Sequence, residues 1–272
     1  MIGRLPLSFG YAIADALTPL HYHLFRRRRS AVLANLRVAD PGRSALEQRA
    51  TARRIMRSYN RTVFEFFRLP RIAADDLEHA IEMIGLEHVE RARQGGRGVI
   101  VTSCHIGNWE LGAVQLARHG YPVTAVAGNQ FGRWLGADVR AAKERLAVST
   151  VAPEDGFRKL WRALARNEVV ALMVDGDIFS AGSYCDFLGQ RTPWPAGPGV
   201  LSARTGAPIV SAYCERLAPG KFRIRFEAPL RTDATASELN ATVATTSGDH
   251  VSTHLDQWCI FRRLWTEARA DA

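Results

Sequence analysis

The chain has 272 residues, of which 47% are hydrophobic, and a formal net charge of +9. This length supports one large domain with a substantial core. The four cysteines lie far apart and form no C-x-x-C pair, which argues against a disulfide framework and against a cysteine-ligated zinc site (Cys104, Cys185, Cys214, Cys259). Reduced thiols facing the cytoplasm are therefore predicted.

The positive charge is concentrated in the first seventy residues. They contain thirteen arginines, no lysine and four acidic residues, whereas the other 202 residues have 23 basic and 23 acidic side chains. The whole imbalance therefore belongs to the N-terminal part. It predicts an acidic surface nearby, for which nucleic acid and an anionic membrane leaflet are the two obvious candidates.

The apolar segment from Leu5 to Phe25 favours the membrane. It ends in four consecutive arginines, and Pro6, Asp15 and Pro19 interrupt it, so it is a poor spanning helix. Its charges follow the apolar core and no small-residue cleavage pattern is present, which argues against a secretory signal. We expect a helix lying in the cytoplasmic face of a membrane. The alternative is an ordinary first helix packed on the domain.

One long helix is predicted from Ser44 to Leu69, and Pro70 ends it. Arginines recur at every fourth position and form a basic stripe (Arg49, Arg53, Arg57, Arg61). This stripe is expected to face lipid headgroups or an acidic carrier protein. A merely solvated face fits the pattern equally well.

Apolar runs alternate with helical stretches from residue 96 onward. The predicted strands are Val99–Thr102, Val123–Ala127, Val148–Val151, Val169–Val174, Ile209–Cys214 and Phe222–Phe226. The predicted helices are Asn108–Arg118, Trp134–Leu146, Gly156–Arg166, Gly197–Thr205 and a final helix from about Glu238 to Arg263. This order predicts a single α/β domain with a mostly parallel sheet flanked by helices. Residues 221–227 alternate polar and apolar side chains, which predicts an antiparallel edge strand.

A histidine and a carboxylate stand five positions apart at a predicted strand-to-helix junction. His105 follows the first strand, Gly107 permits a turn, Asn108 is the predicted N-cap, and Glu110 falls in the first helical turn. The two side chains can meet only if His105 precedes the regular helix. They then form a general base with its orienting acid. The alternative is a capping glutamate and a histidine satisfied by backbone.

The chain resembles the lipid A late acyltransferases, a bacterial family that includes the phosphatidylinositol mannoside acyltransferases. The resemblance rests on His105-Ile-Gly-Asn-Trp-Glu110, which matches the family's H-x4-D/E motif. It continues in Val174-Asp-Gly-Asp177, Phe187-Leu-Gly189, Pro195-Ala-Gly-Pro-Gly199, Thr205-Gly-Ala-Pro-Ile-Val210, Gln257-Trp258 and Arg262-Arg263. Asn35-Leu-Arg37 matches the family's N-terminal pattern.

This resemblance implies a glycerolipid acyltransferase-like fold and a direct acyl transfer. His105 is then the base that deprotonates an acceptor hydroxyl, Glu110 orients it, and neither a metal nor a cofactor is needed. The implied donor is an acyl carrier protein or coenzyme A thioester, and the acceptor is a membrane glycolipid at the cytoplasmic face of the inner membrane. Residues 1–70 are the predicted membrane attachment, and residues 71–272 the acyltransferase domain.

Further substrate-binding residues follow from the same motifs. They are Asn108, Trp109, Asp175 and Asp177, together with two arginines that are candidates for stabilising negative charge (Arg140, Arg145). Cys104 stands beside His105, but neighbouring residues at a strand end point to opposite faces, so we expect a buried structural thiol rather than a nucleophile.

Two other function classes are less well supported. Asp175-Gly-Asp177 after an apolar strand is a D-x-D pattern, which a metal-dependent glycosyltransferase uses to hold a sugar nucleotide. No glycine-rich phosphate loop accompanies it. A basic membrane- or RNA-binding protein leaves His105 and Glu110 unexplained, and no RNA motif is present. A serine hydrolase is disfavoured because the chain has no G-x-S-x-G elbow.

Overall fold

The computed structural model describes residues 5–68, 79–126, 144–152, 157–176 and 183–265. The helices of this part are α1 Leu7–Ala16, α2 Thr18–Leu24, α3 Arg26–Ala39, α4 Ala45–Arg68, α5 Leu86–Arg93, α6 Glu110–Arg118, α7 Phe157–Ala165, α8 Gly197–Thr205 and α9 Ala236–Thr253. The strands are β1 Ile81–Ile84, β2 Val99–Ser103, β3 Val123–Val126, β4 Val148–Val151, β5 Val169–Met173, β6 Ser183–Phe187, β7 Gln190–Trp194, β8 Ile209–Ala218 and β9 Lys221–Phe226.

Seven strands form one sheet in the order β1-β9-β8-β2-β5-β3-β4. All neighbouring pairs are parallel except β8 with β9, which is antiparallel. Strands β2 and β5 lie side by side near the centre, with buried Ile100 and Val170 on one face and buried Val99 and Val169 on the other. The predicted α/β class with a mostly parallel sheet is confirmed.

Helices pack on both faces of this sheet. The two faces of the sheet have separate cores, and alternate residues of β2 point into them. Ile100 packs in the core formed with α4, α7, α8 and α9, whereas Val99 and Val101 pack in the core formed with α5 and α6. The first core also contains Tyr22 and Leu36 from the N-terminal helices. These helices therefore share a core with the sheet, and the predicted domain boundary at residue 70 lies outside the described ranges.

Three arginines of the basic stripe on α4 contact the N-terminal helices. Arg57 and Arg61 bind the carboxylate of Asp15 on α1, and Arg53 stacks on the Tyr22 ring at 4.7 Å. Burial raises the pKa of Asp15, but the hydrogen bonds and charges of the two arginines outweigh it and lower the pKa to about 2. Arg53, Arg57 and Arg61 thus contact the N-terminal helices, but Arg49, Arg53 and Arg57 remain exposed. Contact of the stripe with headgroups or a carrier protein therefore stays a prediction.

The apolar N-terminal segment forms two short helices whose outer side carries exposed hydrophobic residues. We call these residues the apolar stripe: Phe9, Ile13, Leu17, Leu20, Leu24 and Phe25, which are 40–65% exposed. Within the described part of the chain, no helix has both the length and the apolar character needed to cross a bilayer.

Several predicted elements differ from the structure. β9 is antiparallel to β8 as predicted, but it is not an edge strand because β1 pairs with its other side. The final helix ends at Thr253, and a 3-10 turn, Leu255–Gln257, follows it. The predicted helix Trp134–Leu146 lies mostly outside the described residues. Helices α6, α7 and α8 agree with their predictions to within two residues.

Candidate active site

Two neighbouring strands bring His105 and Asp175 together. The register of the parallel pair places Ser103 of β2 beside Met173 of β5. His105 and Asp175 each follow two residues later, so they emerge next to each other at the carboxyl edge of the sheet. Ligands of open α/β sheets gather at this edge.

The side chain of Asp175 holds the histidine through both carboxylate oxygens. Its Oδ1 lies 2.7 Å from Nδ1 of His105, and its Oδ2 accepts hydrogen bonds from the His105 backbone N–H at 2.7 Å and from Trp258 Nε1 at 3.0 Å. The Asp175 side chain is 0% exposed. All these bonds fix the orientation of the imidazole ring.

The electrostatics of the pair favour an ionised carboxylate. Burial raises the pKa of Asp175, but the neighbouring His105 and the hydrogen bonds from His105 and Trp258 outweigh it and hold that pKa below its usual range. An ionised carboxylate can only accept, so Nδ1 of His105 carries a proton, and in the neutral ring Nε2 presents a lone pair.

The other ring nitrogen of His105 faces away from this network. No residue of the described ranges forms a hydrogen bond with Nε2, and the histidine side chain is 19% exposed. The Trp109 ring packs edge-on against the imidazole at a centroid distance of 4.9 Å. This histidine can therefore accept a proton from a bound hydroxyl.

The loop after His105 is shaped by a close approach to two other segments. Gly107 has a φ of +56°, and a Cβ atom there would lie 2.2 Å from the Cys214 carbonyl oxygen. The loop pairs with the segment after α9: the Cys259 N–H donates to the His105 carbonyl at 2.7 Å, and the Gly107 N–H donates to the Gln257 carbonyl at 3.2 Å. Only glycine fits at position 107.

A buried ion pair between Glu65 and Arg216 contacts the same loop through Asn108. We call Glu65, Arg216, Tyr11 and Asn108 the Glu65 network. The Glu65 carboxylate accepts from Arg216 Nη2 at 2.7 Å, from Asn108 Nδ2 at 2.8 Å and from the Tyr11 hydroxyl. It joins α1, α4 and β8 to the segment that carries His105.

Comparison with known proteins places the chain in a family. The family model described as bacterial lipid A biosynthesis acyltransferase matches residues 1–267. The chain belongs to this acyltransferase family. This match confirms the family that the sequence motifs predicted, and the family's description names the predicted class of enzyme.

Two relatives carry the name phosphatidylinositol mannoside acyltransferase. The protein of Mycolicibacterium smegmatis is 31% identical over 161 residues, which cover 58% of this chain and 53% of the relative. The protein of Mycobacterium tuberculosis strain H37Rv is 26% identical over 216 residues, which cover 77% of this chain and 68% of the relative. The aligned part thus spans about half the length of the first relative.

Within the acyltransferase motif, the structure assigns one role differently from the sequence. Glu110 begins α6 and is half-buried in the first helical turn, as predicted. The carboxylate bonded to Nδ1 of His105, however, belongs to Asp175. The orienting role that the sequence predicted for Glu110 is therefore filled by Asp175, and a catalytic role of Glu110 stays a prediction.

The central residues of the motif also differ in their surroundings. Asn108 is not the N-cap, since Trp109 occupies that position and the Asn108 side chain is completely buried against Glu65. This burial points to a structural role for Asn108 instead of the predicted substrate binding. Trp109 packs on His105, and its buried Nε1 has no hydrogen-bond partner among the residues that the structure describes.

The remaining predicted site residues are less informative. Arg145 is exposed just before β4. Arg140 and Asp177 lie outside the described residues. Cys104 is completely buried, and burial raises the pKa of its thiol well above the usual range, which confirms the predicted structural cysteine.

The D-x-D reading for a glycosyltransferase is contradicted at Asp175. Both of its oxygens are bonded to His105 or Trp258, and the side chain has no exposed area. A metal ion could bind this carboxylate only after these bonds were broken. Asp175, the first acidic residue of the D-x-D pattern, instead binds His105.

Trp258 and Arg216 are the site residues whose roles the sequence did not reveal. Trp258 reaches Asp175 from the segment after α9, more than 80 residues along the chain. A usable signal existed for Asp175, because it and His105 each stand two residues beyond a strand of similar length. No comparable pattern marks Arg216.

Proposed function

We propose that the protein is a membrane-associated O-acyltransferase. It moves a fatty acyl chain from an acyl thioester, carried by acyl carrier protein or coenzyme A, to a hydroxyl of a membrane glycolipid. Suitable acceptors are a lipid A precursor and a phosphatidylinositol mannoside. The observation that carries this proposal is the hydrogen-bonded His105–Asp175 pair, in which His105 is the histidine of the H-x4-E pattern, in a chain that belongs to this acyltransferase family.

The proposed reaction is a direct transfer. Nε2 of His105 takes the proton of the acceptor hydroxyl, and the oxygen attacks the carbonyl carbon of the thioester. The C–S bond then breaks, and the imidazolium returns the proton to the leaving thiolate. Asp175 stabilises the positive charge that His105 gains. The buried Cys104 thiol is unsuited to form an acyl-enzyme.

Glu110 remains a proposed catalytic residue beside this pair. It completes the family motif and stands in the first turn of α6, on the segment that carries His105. We assign to it a role other than holding Nδ1, since Asp175 occupies that position.

The N-terminal helices are the proposed membrane surface, at the cytoplasmic face of the inner membrane. The apolar stripe lies just before Arg26–Arg29, which form the first turn of α3. Positive side chains in that turn are disfavoured by the helix dipole, and anionic headgroups would offset this cost. An apolar groove of about 680 Å³ between α1, α2 and α4 has room for a lipid chain.

Charge supports the proposed class of donor. Acyl carrier protein is acidic and coenzyme A carries phosphates, so either complements an arginine-rich surface. Arg26 and Arg27 are exposed, and Arg145 is exposed before β4. These arginines are the proposed contacts for the donor or for headgroups.

The experiment is an acyl-transfer assay with the purified full chain. A phosphatidylinositol mannoside and a lipid A precursor are each offered in vesicles, with palmitoyl-coenzyme A or palmitoyl-acyl carrier protein as the donor. Because both relatives are named for phosphatidylinositol mannoside, we expect transfer to that acceptor. We expect His105→Ala to lower the rate about 10²- to 10⁴-fold.

His119→Ala is the matched control, since His119 is an exposed histidine after α6. It should keep the wild-type rate. Transfer to the lipid A precursor alone would show that the expected acceptor is wrong, but it would still support direct acyl transfer. A folded His105→Ala protein with a near-normal rate would refute the proposed function.

A further inference from the structure

We propose that Glu215, His250 and His254 form a binding site for one zinc ion, away from the reacting histidine. Glu215 lies on β8, His250 in the last turns of α9, and His254 directly after that helix. Each offers one ligand atom, and these atoms lie within 4.8 Å of one another. The inference is independent of the proposed acyl transfer.

The hydrogen bonds of His254 point to a cation. Its Nδ1 lies 3.0 Å from the His250 carbonyl oxygen and 2.9 Å from Thr253 Oγ1, which itself donates to that carbonyl. Nδ1 therefore carries a proton. Its Nε2 lies 3.0 Å from Oε2 of Glu215, a second acceptor. A neutral imidazole can satisfy only one of them, so Nε2 and the carboxylate need either an extra proton or a shared metal ion.

The hydrogen bond at Nδ1 of His254 is of the kind that zinc-binding histidines make. A ligating histidine donates its other N–H to a carbonyl or carboxylate, which fixes the tautomer and aims the free nitrogen at the metal. The bond from Nδ1 of His254 to the His250 carbonyl provides this. Glu215 is itself 8% exposed, so its charge is largely removed from water.

His250 supplies an independent observation. Its Nε2 is buried and has no hydrogen-bond partner in the part of the chain that the structure describes. The ring lies between Tyr213 and His254, stacked on both at centroid distances of 4.1 and 4.5 Å. Buried polar nitrogens are rarely left unpaired, and a metal ion is one partner that satisfies a neutral imidazole.

The set of ligands fits zinc. Two histidines and one glutamate, with water in the fourth position, form a known tetrahedral zinc set with bonds of about 2.0–2.2 Å. In a tetrahedron, such bonds put ligand atoms roughly 3.3–3.6 Å apart. The separation of His254 Nε2 and Glu215 Oε2 is already close to that value. The His250 ring must turn out of its stack for its nitrogen to join them.

An ion here would stabilise the segments next to the active site without contacting His105 or Asp175. Side chains alternate along β8, so Glu215 faces α9 while Arg216 faces Glu65 on the other side. His254 also leads directly into the segment that carries Trp258, the donor to Asp175. Zinc would therefore fix the end of α9 next to the segment that carries Trp258.

The test is zinc binding by the untagged full chain after treatment with EDTA. Zinc is titrated against a chromophoric chelator, and one ion per chain is expected. Glu215→Gln and His254→Gln should each weaken binding at least about tenfold. The matched control, His119→Gln, replaces an exposed histidine outside the cluster and should bind like the wild type. Absent binding, or equal binding by all four proteins, would overturn the proposal.

A second measurement covers variants that fold poorly. Cobalt is added to the wild-type chain and to His119→Gln, and the visible absorption is recorded. A strong four-coordinate spectrum that zinc abolishes supports the site, and a weak octahedral spectrum contradicts it. Zinc should also raise the melting temperature of both proteins. It should leave that of folded His250→Gln unchanged.

Discussion

At the residue scale, the account depends on which carboxylate holds His105. Asp175 is adjacent because β2 and β5 are neighbours in register, whereas Glu110 is separated from His105 by the turn at Gly107. Sequence distance is a poor guide here. A residue 70 positions away supplies both oxygens, and a residue five positions away supplies neither.

The Glu65 network gives a stability prediction at the same scale. The side chains of Glu65 and Arg216 are 6% and 7% exposed, so neither charge is well solvated. Glu65→Gln leaves the Arg216 guanidinium buried without its counter-ion. We expect a loss of about 3–5 kcal/mol in the free energy of unfolding, measured by urea denaturation.

The control for that prediction is an ion pair in water. Arg231 and Asp233 form one in which both side chains are mostly exposed. Asp233→Asn should leave the unfolding midpoint nearly unchanged, because solvent screens exposed pairs. If Glu65→Gln shifted the midpoint no more than Asp233→Asn, the network would not hold the N-terminal helices to the catalytic loop.

At the scale of elements, six strands of the main sheet were predictable, including the edge strand β4, whereas β1 and the hairpin β6–β7 were not. β5 is a continuous apolar run and β2 begins with one, because helices cover both faces of these strands. β1 has only four residues with mixed burial, too short for a clear pattern. The hairpin β6–β7 turns at Leu188 and Gly189, both with positive φ. Leucine is rare in that conformation, so Leu188-Gly189 does not match the usual residue pattern of a hairpin turn.

Only part of the candidate active site could be predicted from the sequence. His105 and the glycine turn follow from local pattern, since strand, turn and helix are adjacent in the chain. Trp258 and Arg216 reach the site through tertiary packing of α9 and β8, which no local pattern contains. The length of the last helix was overestimated for a related reason. The chain leaves α9 at His254, and Gln257 then pairs with Gly107.

Helices α1 and α2 give a prediction about membrane binding. Leu17, Leu20 and Leu24 of the apolar stripe are 49–65% exposed, so serine at all three removes apolar contact without opening the core. We expect the triple variant to lose at least tenfold in affinity for anionic vesicles, measured by co-sedimentation. Each buried leucine side chain is worth about 1.5–3 kcal/mol.

Leu46→Ser is the control for this experiment, because Leu46 is 74% exposed at the start of α4 and outside the apolar stripe. It should bind vesicles like the wild type. A triple variant that sediments as fully as Leu46→Ser would show that the stripe is not the membrane contact.

At the scale of the whole molecule, charge and chemistry occupy different parts of one fold. The first seventy residues contain the entire positive excess, and the sheet that positions His105 and Asp175 lies in the neutral remainder. The Glu65 network and the core that Tyr22 and Leu36 share with Ile100 join the two parts. A lipid bound at the N-terminal helices would thus be held by elements that share a core with the sheet that carries the base.

The most direct test of the central claim compares acyl-transfer rates of His105→Ala, Asp175→Asn, their double variant and Glu110→Gln, all checked for folding. If Asp175 orients the base, Asp175→Asn should lose about 10²- to 10⁴-fold, and adding it to His105→Ala should cost little more, because the two residues act as a unit. A folded Asp175→Asn enzyme with a near-normal rate, alongside a Glu110→Gln enzyme as inactive as His105→Ala, would contradict the account.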